Sequence, residues 1–145
     1  MISSNRRPNQ DDFVLYVGTT IRVEWYYMPN GRMPALEHFL ALPQLDQERL
    51  LKIVEYLANA PLGTRLARSV YRIEDAANKI YAFKPRDERY FNFITDERRI
   101  IITNAYRKHS QKMGKVDVEK LKTAIAYRRD YLQRVGNGTY YESET

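Results

Sequence analysis

A chain of 145 residues with no cysteine, 43% hydrophobic residues and a net charge of +6 can bury one core without covalent staples, and one domain is expected. Disulfides, thiolate nucleophiles and thiolate metal sites are excluded, and no apolar run approaches the roughly 20 residues of a membrane span, so a soluble, cytoplasmic protein is expected. The positive charge is segregated: residues 84–134 hold 14 Lys and Arg against 7 Asp and Glu, and the rest of the chain holds 10 against 11, a distribution that points to an anionic partner, phosphate backbones being the commonest.

Residues 1–18 open on a polar stretch with no apolar leader and are expected to form a flexible lead. The β-branched and aromatic run 19–28 predicts a strand, closed by the turn residues Pro29, Asn30 and Gly31. Pro34, at a position suited to a first helical turn, precedes Leu36, Phe39 and Leu40 at helical spacing. A second helix is predicted after Pro43 to about residue 60, with Leu45, Leu50, Ile53, Val54 and Leu57 as its apolar stripe. From residue 69 the period shortens. Runs 69–73, 79–85, 89–95 and 99–107 read as strands with tight connections between them, and hence as antiparallel neighbours. A last helix over 116–134 turns Val118, Leu121, Ile125 and Leu132 inward and ends before Gly136. Residues 136–145 read as a polar tail, which leaves 19–135 as the folded unit. The expected fold is α+β: an antiparallel sheet with an N-terminal helical hairpin and a C-terminal helix, the helices on one face.

Several chemistries have no sequence support. Neither a phosphate-binding glycine loop nor a His-Glu-x-x-His metal motif is present. With two histidines, His38 and His109, and no cysteine, a nitrogen and sulfur zinc site is not expected; no metal or other cofactor is predicted. The acidic pairs Asp11-Asp12, Asp87-Glu88 and Asp96-Glu97 fall in the lead or in predicted turns and read as solvated. His38 reads as surface or packing, Trp25 as core. What remains is a set of basic residues at strand ends: Lys84 closes one strand, Arg89 opens the next, and Arg107, Lys108 and His109 follow the last. Tyr81, Tyr90, Phe91 and Tyr106 lie among them. Cations that hold phosphates, interleaved with rings on which bases stack, suit RNA; core packing is the competing role for every such ring.

From Thr20 to Leu132 the sequence resembles the HigB-like, phage-derived branch of the RelE/ParE toxin superfamily. The resemblance is carried by Gly31-Arg32-x-Pro34-x-Leu36-Glu37-x-Phe39-Leu40, by Ile80-Tyr81-Ala82-Phe83-Lys84, and by Glu88-Arg89-Tyr90-Phe91-Asn92-Phe93. Two further segments complete it: Ala105-Tyr106-Arg107-Lys108-His109-Ser110-Gln111-Lys112, and Ala126-Tyr127-Arg128-Arg129-Asp130-Tyr131-Leu132. Two positions depart from the family pattern: His109 stands where a Lys is usual, and Gly114 where a Pro is usual.

The resemblance implies the toxin of a type II toxin-antitoxin system. Such a toxin is a metal-independent endoribonuclease that cuts mRNA on the ribosome and is held in check by a cognate antitoxin protein. It implies Lys84, Arg89 and Lys108 as catalytic residues, and His109, which stands at the family's Lys position, is added as a fourth because an imidazole can donate a proton near neutral pH. Arg89 would clamp the phosphate, Lys84 help activate the 2′-hydroxyl, Lys108 hold backbone phosphate and His109 donate a proton. Tyr81, Tyr90, Tyr106, Arg107, Gln111 and Lys112 are the expected RNA contacts. Two alternatives share the fold: a ParE-like, non-enzymatic inhibitor of DNA gyrase, and a catalytically silent, phage-related nucleic-acid-binding protein.

Overall fold

A computed structural model of the chain describes residues 8–110 and 112–142. The order of elements is α1 (Gln10–Phe13), β1 (Val14–Val17), β2 (Arg22–Trp25), α2 (Pro34–Leu40), α3 (Gln44–Asn59), β3 (Tyr71–Asp75), β4 (Ile80–Phe83), β5 (Glu88–Ile94), β6 (Arg99–Arg107) and α4 (Lys115–Gly136). The class is α+β, and the strands form one six-stranded sheet in the order β1-β2-β6-β5-β4-β3. No described helix is long and apolar enough to cross a membrane.

Short turns join β3 through β6, so those strands run antiparallel. Each turn contains one non-glycine residue at positive φ (Lys79 at 58°, Arg86 at 58° and Arg98 at 63°), a recurrent feature of tight hairpin connections. The expectation of a wholly antiparallel sheet needs correction at one seam. β2 pairs parallel with β6, from Arg22 opposite Arg99 to Trp25 opposite Ile102. No hairpin turn constrains β2 on that side: the chain leaves it for the two helices, returns at the far edge as β3, and meets β2 again only with β6. A crossover of this length permits parallel pairing.

A second correction concerns the helices, which cover both faces. Consecutive side chains of β6 point to opposite sides, and Ile100 and Ile102 pack with Trp25, Phe39, Leu50 and Val54 beneath α2 and α3. Ile101 packs instead with Phe91, Phe93, Ala124 and Tyr131 beneath α4. Burial on both faces explains why β6 reads as a continuous run of isoleucine rather than as an alternation.

The folded unit also extends beyond the expected ends. Within the lead, Phe13 is buried and β1 forms an edge strand antiparallel to β2. The turn between them lies against the end of α3, where the Ala58 carbonyl accepts from both Thr20 and Ile21 amides. A Cβ on Gly18 would stand 2.3 Å from that carbonyl oxygen, so only glycine fits. At the other end, Tyr140 is 1% exposed, stacked 4.2 Å from Tyr27 and edge-on 4.6 Å from Tyr131. Beside it, Tyr141 Oη donates to Glu24 Oε1 at 2.7 Å. The tail is therefore polar by composition but anchored by its two tyrosines.

Candidate functional site

Alternation along the strands assigns the predicted cations to faces before any distance is considered. On β4, Ala82 belongs to the α4 side and Phe83 to the other, so Lys84, the next residue, returns to the α4 side. On β5, Tyr90 lies under α2 and α3 while Phe91 lies under α4, which sets Arg89 on the α4 side and Glu88 opposite. Tyr106 of β6 packs on the α4 side, which turns Arg107 the other way. α4 packs against β5 and β6, and β4 and β3 continue the same face beyond it.

The result is a small hollow of about 60 Å³ lined by Arg72, Glu74, Arg89, Phe91, Tyr106 and Lys108, with Met113 and Leu121 closing one side. Lys84 belongs to the same charge cluster. Its pKa is lowered from the usual lysine value by burial first, then by the charges of Arg72, Arg89 and Lys108, with Glu74 opposing. Three strand-end cations predicted from sequence thus share one wall with Arg72, which was not predicted. Among the described residues, no group of three or more His, Asp or Glu is arranged to hold a metal ion.

Each cation is held differently. The Arg89 guanidinium donates to the Arg86 carbonyl at 2.6 Å and to the Glu88 carbonyl at 2.9 Å, using one nitrogen for both. Arg72 pairs with Glu74 at 2.9 Å, two residues along the same strand face. Among the described residues, Lys84 Nζ reaches the Arg68 carbonyl alone, at 3.4 Å. Lys108 is the most firmly fixed: its Nζ lies 2.9 Å from Asp117 Oδ2 and 3.1 Å from the Lys112 carbonyl.

Asp117 organises this end of the site. It sits in the first turn of α4 and accepts from the Gly114 amide at 2.7 Å, from Tyr106 Oη at 2.5 Å and from Lys108. Burial alone would raise its pKa, but the Tyr106 and Gly114 hydrogen bonds and the Lys108 charge bring it down to about 2. A carboxylate depressed in the folded state stabilises the fold above its unfolded pKa of about 3.8 and loses that contribution as pH falls through the folded value. Asp117→Asn is therefore expected to lower the unfolding midpoint at pH 7, with the difference from wild type shrinking between pH 4 and pH 2. A gap that stays constant over that range in acid unfolding curves would contradict this role.

The other predicted residues scatter. Tyr90 is fully buried on the opposite face, 5.9 Å from the His38 ring and 6.5 Å from Trp25, so it is core and not a stacking platform. Tyr106 is 8% exposed and serves as a wall of the hollow. Tyr81 stacks 5.2 Å from Tyr71 on the α2 and α3 side. Arg107 points to that side as well, pairing with Glu88 at 2.8 Å and Asp87 at 3.3 Å. His109 and Lys112 are exposed and outside the hollow's lining, and Gln111 lies outside the described residues.

Sequence reasoning missed four residues. Arg72 and Glu74 carried a signal, an Arg-x-Glu alternation within a strand, but their register with β4 was not readable. Asp117 follows Gly114 at the spacing of a helix-start carboxylate, a cue that was present and unused. Glu88, whose place in a predicted turn suggests a solvated acid, is 2% exposed: it accepts from Arg107 and lies 2.6 Å from His38 Nε2. His38, remote in sequence, is thereby tied to the strand that carries Arg89. No protein-family model matches the chain, and a search of curated proteins finds no match to it.

Proposed function

We propose that the protein binds and cuts RNA, as the toxin of a type II toxin-antitoxin pair of the RelE/HigB kind, acting on mRNA at the ribosome and neutralised by a cognate antitoxin. On this reading the helical hairpin and the final helix around the sheet have the RelE/HigB arrangement, with β1 and the anchored C-terminus added. The observation that carries the proposal is the meeting of Arg72, Lys84, Arg89 and Lys108 on one wall, beside the Phe91 and Tyr106 rings.

The chemistry follows from the charges. The ribose 2′-oxygen forms a bond to the adjacent phosphorus as the bond to the 5′-oxygen breaks. The products are a 2′,3′-cyclic phosphate and a 5′-hydroxyl. Arg89 holds two non-bridging oxygens in a planar fork. Arg72 and Lys108 stabilise the additional charge of the phosphorane. Lys84, whose pKa is lowered from the usual lysine value by burial and by the neighbouring cations, takes the 2′-hydroxyl proton. The departing oxygen takes its proton from water, since the His109 ring stands exposed outside the hollow.

Expression in a bacterial host tests the assignment. Arrested translation with transcripts cut at defined positions supports it. DNA-damage signalling would indicate gyrase inhibition instead, and unimpaired growth a silent binding protein. A finer test separates the basic residues. Lys84→Arg is expected to keep RNA affinity within about threefold while lowering the cleavage rate about 10²-fold, because a guanidinium holds charge but does not accept a proton. His109→Gln is expected to cost only a few-fold; a loss near 10²-fold would return the proton-donor role to His109.

A further inference from the structure

On the α2 and α3 side of the sheet, behind the proposed RNA site, a cleft of about 600 Å³ opens between the 61–68 loop and the β3 edge. Its interior reaches the core: Ile21, Leu57 and Ile100, each less than a tenth exposed, line it. Its walls are Leu66, Ile73 and the stacked Tyr71 and Tyr81 rings. Three arginines, Arg65, Arg68 and Arg72, complete the lining, and no carboxylate is among it. Arg72 is paired with Glu74, whereas Arg65 and Arg68 have no ion-pair partner among the described residues.

We propose that this cleft is a binding site for a single-chain amphiphilic anion, a fatty-acid-like molecule with its alkyl chain in the cleft and its head on Arg65 and Arg68. The cleft falls within the size range of small-molecule sites, which are mostly apolar with a few polar groups fixing orientation. The buried Ile21, Leu57 and Ile100 in its lining select an apolar chain over a polar group. Aliphatic side chains at the bottom offer a long apolar molecule a dry lining, and they offer a nucleobase few polar partners. The head is selected by charge: two guanidiniums with no ion-pair partner among the described residues favour a carboxylate or phosphate over an alcohol. The cleft shares Arg72 with the proposed RNA site, but its ligand is selected by Arg65, Arg68 and the apolar lining, so its test does not require RNA binding.

The test uses the full-length protein and calorimetric titration with hexanoate, octanoate and decanoate, each below its micellar concentration, and with decanol as the uncharged control. Affinity is expected to rise about threefold per added methylene until the cleft is filled, and decanol to bind at least about tenfold more weakly than decanoate. Combined Arg65→Ser and Arg68→Ser substitution on this exposed loop is expected to weaken decanoate about tenfold or more. Ile73→Trp, at a half-exposed position on the edge strand, fills the cleft from the side and is expected to shorten the longest chain accepted, which guards against a folding defect in the arginine variant. Equal binding of decanol and decanoate overturns the proposal, as does the absence of binding or an unchanged affinity in both variants. Binding confined to phosphatidylglycerol vesicles, or to an acidic leucine-bearing peptide while decanoate fails, overturns it equally and identifies a membrane or protein surface.

Discussion

Arg89→Ala is expected to abolish growth inhibition on induction and to reduce RNA cleavage about 10²–10³-fold, with the thermal midpoint shifted by no more than about 3 °C. The large functional effect follows from what alanine removes: a guanidinium on the proposed wall able to bind two phosphate oxygens at once, aimed by backbone carbonyls where that of Arg72 is held by Glu74. The small structural effect follows from its surroundings. Its side chain crosses no core, and the carbonyls it leaves belong to Arg86 in the turn before β5 and to Glu88 at the start of the strand, where water replaces the guanidinium. Arg89→Lys is expected to recover only part of the activity, since an ammonium supplies charge without the fork. Colony counts after induction and a thermal melt of the same preparations suffice. Full toxicity in a folded Arg89→Ala protein would remove the phosphate clamp from the proposal.

Glu88→Ala is expected to have the largest effect on stability, a loss of about 3 kcal/mol and a drop of roughly 10 °C in the midpoint. The carboxylate is almost fully enclosed and joins three elements: His38 of α2, Arg107 of β6 and its own strand β5. Its removal leaves a partly buried imidazole edge and half of a guanidinium without this partner, and opens a void beside Tyr90, whose hydroxyl has no hydrogen-bond partner among the described residues. Arg107 still has Asp87 and is half exposed, so the loss stays below the upper range for broken buried pairs. The same change loosens the start of β5 and the end of β6, where Lys108 donates its amide to the Asp87 carbonyl at 2.7 Å. RNA cleavage is therefore expected to fall along with stability, although Glu88 faces away from the hollow. A midpoint within 2 °C of wild type would show that this triad is incidental.

Periodicity made most of the fold legible. β6 matches its predicted bounds, α3 and α4 lie within a few residues of theirs, and β3 is shifted by two, because local apolar spacing decides these elements. The parallel seam was not legible, because nothing local to β2 records which strand it will meet after a crossover of more than seventy residues. β1 was missed because its four residues follow a run of polar ones, and a strand that short is stabilised by β2 and not by its own pattern. Tyr140 and Tyr141 were read from the polarity of their neighbours, and two aromatic residues near the end of a chain are a stronger sign of docking than that polarity is of exposure.

The same division applies to the site. Lys84, Arg89 and Lys108 were readable as cations at strand ends, and simple alternation assigns them to one side of the sheet. Arg107, adjacent to Lys108, was assigned to the RNA contacts although alternation alone places it opposite Tyr106, and the structure turns it toward Glu88. Tyr90 fell to the same parity. Arg72 required the register of β3 on β4, with Arg72 opposite Ala82, which no residue in either strand announces.

Four cations from four separate stretches of chain are proposed to act on one phosphodiester. The most direct measurement is the chemistry of the RNA ends generated in cells expressing the wild-type protein, compared with cells expressing Arg89→Ala. Fragments bearing 5′-hydroxyl and 2′,3′-cyclic phosphate ends, present with wild type and absent with the variant, are the predicted result. Intact transcripts, or new ends carrying 5′-phosphate and 3′-hydroxyl groups, would contradict it.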